Sequence, residues 1–511
     1  MLFMFGGHQA YSQNLVTDFI LDEVTYNCYD NGEAEVYKWA DFEIGDAVIP
    51  EVIQVDGTDY TVTSVAPEAF RGCRLLSTVQ LPKTVQKIGK QAFEGCHCLY
   101  QINLPEGIKD IETATFQECF DLQEITFPES LETIGSYAFG YCSNLLSVDL
   151  PKNMKSVGSS AFSQCKMMGE LKINSNVTVG TSAFALCKGL TEVVFPDGIE
   201  EIGDWAFEGC VYLESVHLPK ALKKIGDGMF YSCNSLVDIN LPEGISMIGG
   251  EAFKDCYFMK SVAIPEGVTE IGVSAFAGCA SLESVSFPST LEALKYGCFS
   301  NCTSLKEIVI PEGVKRISGE AFFACPSVTS VTLPESLEEI GFDALAGLSL
   351  LESIVLPKNV NLISDYAFEA NPMLKDIYSL NPVAPKANEL EFGNQIFFDD
   401  DTYNNSTLYI PVGSMDSYKS TRGWKEFKNI LEDSKLGIAT IVPADSENAE
   451  TLSFVVNNGT LKVYSLGEGE TMQIIDMSGR EVYRGSADEV ALPQGMYVVR
   501  AGGRVAKVSV L

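Results

Sequence analysis

Two rhythms of apolar and polar residues alternate along this chain, and the stretch from Ala92 to Ile111 shows both. Phe93, Cys96 and Leu99 recur one turn apart, which predicts a short helical or 3₁₀ segment with one buried side. Ile102 and Leu104 then flank Asn103, the two-residue period of a strand. Pro105 has no N–H to donate and, with Glu106 and Gly107, closes the strand in a turn. Ile108 and Ile111 return to the core. In most such stretches a Gly, such as Gly135 or Gly203, follows the second of these positions.

The stretch is one copy of a repeat. Phe70, Phe93, Phe116, Phe139 and Phe162 follow at intervals of 23 residues. Phe184, Phe207, Phe230, Phe253, Phe276, Phe299, Phe322, Leu345 and Phe368 continue the series after a single step of 22. Three residues after this position stands Cys in twelve of the fourteen units, with Leu348 and Asn371 as the exceptions. Twelve residues after it stands Pro in twelve units, with Asn174 and Leu380 as the exceptions. A unit of this size has an apolar side it cannot cover alone, so the units are expected to stack around a shared core.

The pattern Ala-Phe-x-x-Cys-x-x-Leu-x-x-Val-x-Leu-Pro resembles the BspA-like leucine-rich repeats of bacterial surface proteins, over residues 61–380. The resemblance implies an α/β repeat solenoid of 14 units with a parallel sheet and short helical or irregular connections. A parallel β-helix is the alternative, because 23 residues can also hold three short strands. Residues 14–60 are expected to form an N-terminal β cap. In it Ala47-Val48-Ile49-Pro50 mimics the strand and its Pro, and Asp56-Gly57 turns a hairpin within Val52 to Val65. Residues 381–450 are expected to hold a C-terminal cap and linker, with Trp424 and Phe427 plugging the last open face.

Residues 451–511 have another character: short alternating strands between Gly-rich turns predict a small β-sandwich. The runs Ile475-Asp476-Met477-Ser478-Gly479-Arg480, Leu492-Pro493-Gln494-Gly495-Met496-Tyr497 and Lys507-Val508-Ser509-Val510-Leu511 resemble the C-terminal sorting domain of type IX secretion. At the other end, the apolar Leu2-Phe3-Met4-Phe5 followed by small residues reads as a signal-peptide remnant over residues 1–13. Both features point to a secreted or cell-surface protein.

Composition narrows the function. The net charge of -34 repels phosphate backbones and anionic membranes, so no nucleic-acid partner is expected. No apolar run approaches the ~18 residues of a membrane span, so no membrane insertion is expected. The last 61 residues are charge-balanced, which leaves the acidic excess to residues 1–450. Three His (His8, His97 and His217) give little material for zinc or His-based catalysis, and no cofactor, metal or catalytic residue is expected. The fifteen Cys invite disulfides. In rungs about 4.8 Å apart, however, equivalent side chains run parallel, whereas a disulfide needs Cβ atoms near ~3.8 Å with converging vectors. Buried free thiols acting as small hydrophobes are expected instead.

Positions that repeat are structural, and positions that vary are free for function. The variable strand residues that face away from the core include Lys172, Glu192, Ser215, His217, Asp238 and Asn240, the candidate binding residues. Stacking is expected to bring His217, Asp238 and Asn240 onto neighbouring rungs. This face is polar, and only Tyr378 on it is aromatic, so sugar stacking has weak support there. The turns after Pro form a mostly acidic rim, and Asp399-Asp400-Asp401 lacks the spacing of a Ca²⁺ loop and is expected to be a surface loop. The resemblance implies a monomeric, non-enzymatic adhesion or binding module for an extracellular or host protein ligand. A structural spacer and a glycan-binding protein are the alternatives.

Overall fold

The fold was obtained as a computed structural model, which describes residues 14–39, 45–387, 396–397, 400–433 and 436. In the C-terminal region it describes 454–457, 460–463, 471–476, 481–486, 489–492, 495–501 and 504–510. The expected leader at 1–13 lies outside these residues, as do 388–395, 398–399, 434–435 and 437–450 of the expected cap and linker at 381–450. The chain is a parallel-strand β-solenoid of about sixteen turns followed by a β region. It divides into two compact units, Met1–Thr329 with Gly341–Leu348, and Ser330–Ile340 with Ser349–Leu511.

Each rung of the first unit has three sides, and each side bonds to its neighbours. Strands before the Pro pair in parallel: Asp46–Val48, Thr78–Gln80 and Gln101–Ile102 form one sheet. Ser147–Leu150, Glu170–Ile173, Glu192–Val194 and Ser215–His217 form another. Strands after the Pro make a second ladder, from Thr58–Val65 and Lys87–Ile88 through Asp110–Ile111 and Thr133–Ile134 to Thr178–Val179. Apolar residues at the inward positions, such as Val148, Leu150 and Val157, are buried while Asp149 between them is exposed.

The third side carries the Phe, and it is neither α nor 3₁₀. In all fourteen units the residues two before and two after the Phe position have positive φ, as at Gln91 (57°) and Gly95 (73°) or Trp205 (59°) and Gly209 (66°). A right-handed helix cannot run through two left-handed residues in one turn. Tight turns result, closed by bonds such as Glu94 N–H to Gln91 C=O (3.1 Å) and Cys96 N–H to Phe93 C=O (3.2 Å). Alternate amides then point along the array: those of Gln91, Phe93 and Gly95 donate to Thr113, Thr115 and Gln117 of the next rung at 2.8–3.0 Å. Rung-to-rung bonding overrides the three-residue apolar spacing that suggested a helix.

Inside, the Phe rings from Phe70 to Phe322 form a continuous stack, with neighbouring centroids 4.9–5.9 Å apart and planes within 16°. Burying each side chain is worth about 2–3 kcal/mol before the cost of ordering it. All fifteen cysteines are free, and the twelve of the repeat are buried. Their thiols do more than fill space. From Cys96 to Cys325 each donates to the Phe carbonyl of the preceding rung, at 3.1–3.3 Å. Burial pushes the Cys73 thiol up to about 11 and its successors Cys96, Cys119 and Cys142 further up.

The Gly after the second apolar position is fixed by proximity. A Cβ on Gly158 would lie 2.6 Å from the Ser136 nitrogen and 2.7 Å from the Gly135 carbonyl carbon. The rung spacing leaves room there for backbone alone.

At the start of the first unit, Leu15–Leu21, Val24–Tyr29 and Glu33–Trp39 form an antiparallel meander whose last strand pairs in parallel with Thr58–Val65. Val52–Val55 returns on Thr58–Val65 through Asp56 (φ 49°) and Gly57 (φ 83°), the hairpin expected from sequence. Trp39 takes a Phe position: its ring lies 5.5 Å from Phe70, and its amide donates to Ala69.

In the second unit, strands Ser353–Leu356, Asp376–Ser379, Thr407–Pro411 and Asn429–Asp433 form a parallel sheet. Phe368 stacks on Phe397 at 5.3 Å, and the Phe368 amide donates to Ile396, so Ile396-Phe397 adds a rung position after a 29-residue step. Phe427, Tyr403 and Trp424 pack edge-on against Phe397, and the Trp424 indole N–H donates to Pro385 C=O (2.8 Å). Trp424 and Phe427 therefore cover the face of Phe397, the last ring of the Phe368–Phe397 pair. The described helices are two short ones, Asp400–Asn405 and Met415–Ser420, outside the repeats. The first occupies the place where a surface loop was expected.

The last strands form two antiparallel sheets. One is Phe454–Asn457, Thr460–Val463 and Glu489–Ala491, and the other is Glu481–Gly485, Met472–Asp476, Gly495–Ala501 and Arg504–Val510. Leu461, Met472, Ile474, Leu492, Tyr497 and Val499 make their core.

Candidate binding surfaces

The variable strand residues lie where alternation places them, outside the core. Lys172 pairs in register with Val194, and Val194 with His217; Glu192 pairs with Ser215. His217 Nε2 lies 3.6 Å from Glu192 Oε1. Lys172 Nζ lies 2.8 Å from Glu170 Oε1, and that hydrogen bond and charge hold the ammonium pKa above its usual value. These groups are solvated, so the pairs add little stability.

Asp238 and Asn240 depart from the expectation. Both are exposed, but no strand forms at 237–240, and the parallel sheet ends at Ser215–His217. His217 is thus not joined by a ladder to a carboxylate and an amide on the next rung. Among the described residues, no group of three or more His, Cys, Asp or Glu could hold a metal ion.

In the second unit the strand face is less polar. Val355, Tyr378, Tyr409 and Leu431 stand in register across four strands, and the two Tyr rings stack at 4.6 Å. Burial, then the Asp376 charge, pushes the Tyr378 phenol up to about 12.

Most exposed rings lie elsewhere, at variable positions of the turn side. Tyr137, Tyr141, Tyr212, Tyr257 and Tyr296 are each more than two-fifths exposed, and Trp205 and Tyr231 are half-buried. The signal was in the sequence: Tyr137, Trp205 and Tyr366 occupy the position two before the Phe position, where the other units have Ser, Glu, Gly, Gln, Ala or Asp. A bulky residue with positive φ is a costly choice.

Known proteins agree with this geometry. The family described as BspA type leucine-rich repeat region matches in six copies, over residues 63–188, 178–306 and 269–397. A search of curated proteins gives no match. A solved leucine-rich repeat protein from Bacteroides ovatus is 27% identical, with a TM-score of 0.63 over 82% of this chain and 100% of that one. A leucine-rich cell surface protein from Faecalibacterium prausnitzii is 25% identical, with a TM-score of 0.49 over 66% of this chain and 93% of that one. Repeat spacing, ring stack and parallel ladders meet in one assignment: the chain belongs to the BspA-type leucine-rich repeat family.

Proposed function

We propose that the protein is exported to the cell surface and binds an extracellular or host protein through the solvent-facing side chains of its rungs. One observation carries the reading. The interior repeats the same Phe and Cys positions from rung to rung, while the outward positions differ at almost every rung. A spacer needs only the constant part. Varied polar groups on a rigid backbone suit hydrogen-bonded recognition over a broad area, with little ordering cost on binding. Export is supported by the apolar N-terminus, by the motifs of residues 475–511 that resemble a sorting domain, and by the frequency of surface proteins in this repeat family.

The test is a panel of fibronectin, laminin, collagen and a glycan array, probed with the full chain. Saturable binding to a protein on the panel supports the reading. Failure to bind any of them returns the chain to the spacer, and binding to glycans alone makes it a lectin-like module.

A further inference from the structure

Three consecutive rungs bring aromatic and charged side chains together on their turn side, on the same turn backbone as the other rungs. Each closes its turn with a bond from the residue after the Phe position to the residue two before it. These are Glu208 N–H to Trp205 C=O (3.1 Å), Tyr231 N–H to Gly228 C=O (3.0 Å) and Lys254 N–H to Glu251 C=O (3.2 Å). Trp205 N–H to Asp227 C=O and Gly228 N–H to Gly250 C=O, both 2.8 Å, fix one rung on the next. Two columns therefore run side by side: Trp205, Gly228, Glu251 and Glu208, Tyr231, Lys254.

The glycine makes the site possible. Its missing side chain leaves the space that the Trp205 indole fills, and a Cβ on Gly228 would overlap that ring. Trp205 and Tyr231 meet edge to face, 5.8 Å apart at 63°, so two ring planes form a corner. Lys254 Nζ sits 5.6 Å from the centre of the Tyr231 ring and 3.0 Å from Glu251 Oε1. Burial raises the carboxyl pKa values of Glu208 and Asp255, and the Asp255 charge acts on Lys254.

Ring faces are electron-rich, and a corner of crossed rings beside carboxylates attracts positive charge. An ammonium of the chain itself already lies over one of these rings, Tyr231, and the acidic net charge draws further cations toward the surface. We infer that the Trp205–Tyr231 corner, with Glu251 on the adjoining rung, binds a guanidinium or ammonium group of a basic peptide, with Lys254 as the internal occupant it displaces. Arginine suits the corner best, because its planar, weakly hydrated head stacks on rings and pairs with carboxylates. The site does not depend on which surface holds the protein ligand proposed above.

Trp205 is also the reporter, since Trp39 and Trp424 are buried. The full chain is titrated with hexa-arginine, hexaglutamate and maltohexaose while tryptophan emission is followed. The expected result is a saturable shift with hexa-arginine alone. Lys254→Met should tighten that binding, and Tyr231→Leu weaken it, each by about two- to fivefold, the range of one exposed cation–π contact. Hexa-arginine binding that neither variant changes would reflect the acidic surface at large and overturn the site. A shift with maltohexaose and not hexa-arginine reassigns the corner to glycans, and no shift with either removes it. A chain that takes hexa-arginine here but none of the matrix panel keeps this site and loses only the protein ligand.

Discussion

The Cys210 thiol donates a hydrogen bond to the carbonyl oxygen of Phe184, one rung back and 3.3 Å away. That carbonyl also accepts the Cys187 amide at 3.3 Å, so both of its lone pairs are used in a fully buried site. The recurrence of Cys follows: the position must be small, buried and able to donate. Cys210→Ala should cost about 1–2 kcal/mol, from a lost contact and an undersatisfied carbonyl, measured by urea unfolding. An unchanged midpoint would mean that the thiol only fills space.

The same thiols make the array sensitive to alkali. Burial raises their folded pKa values, so the unfolded chain loses protons first. Stability should be fully present below the unfolded thiol pKa of about 8.5 and fall as pH rises above it, at up to about 1.4 kcal/mol per pH unit for each thiol. Thermal midpoints by circular dichroism at pH 7, 9 and 10 check this. A flat profile would contradict the buried ladder.

Phe207→Ala removes one ring between Phe184 and Phe230, its stacked neighbours at 5.5 and 5.9 Å. The expected loss is about 3–5 kcal/mol, centred on adjacent rungs because each rung touches only its neighbours. Amide exchange should speed up around residues 184–230 well before distant rungs are affected.

Gly158→Ala places a methyl against the Gly135 and Ser136 backbone. A cost of about 1–3 kcal/mol is expected, read as a lower urea midpoint with unchanged slope. Lys295 and Ser318 occupy this position in other units, so a smaller cost would show that the backbone shifts readily.

Trp424→Ala uncovers Phe397 and removes the bond to Pro385. Exchange should then rise first in residues 353–433, at a cost of about 3–5 kcal/mol. Fraying confined to other rungs would show that Trp424 is not the plug.

Much of this was legible in sequence because the core is periodic. The Phe and Cys columns, the strand alternation around Val148 and Leu150, and the Asp56-Gly57 hairpin could all be read directly. The turn conformation could not. Tyr137 and Trp205 have positive φ although their intrinsic preference opposes it, since the bonds to the next rung decide. Trp39 and Phe397 were hidden because steps of 31 and 29 residues separate them from Phe70 and Phe368. The strand-face residues were placed outward correctly, but Asp238 and Asn240 sit where the ladder lapses. The turn-side aromatics, Tyr137 and Trp205 among them, recur at no fixed interval, so the repeat period does not mark them.

The free thiol ladder has a consequence for where such a chain can persist. Eleven sulfurs each donate to a separate carbonyl and none is joined in a disulfide, so the fold holds no cystine for a reductant to cleave. A cystine-stapled protein of this length would depend on a folding catalyst and an oxidising habitat; with its cysteines free, this fold asks for neither, and reducing surroundings leave it nothing to lose.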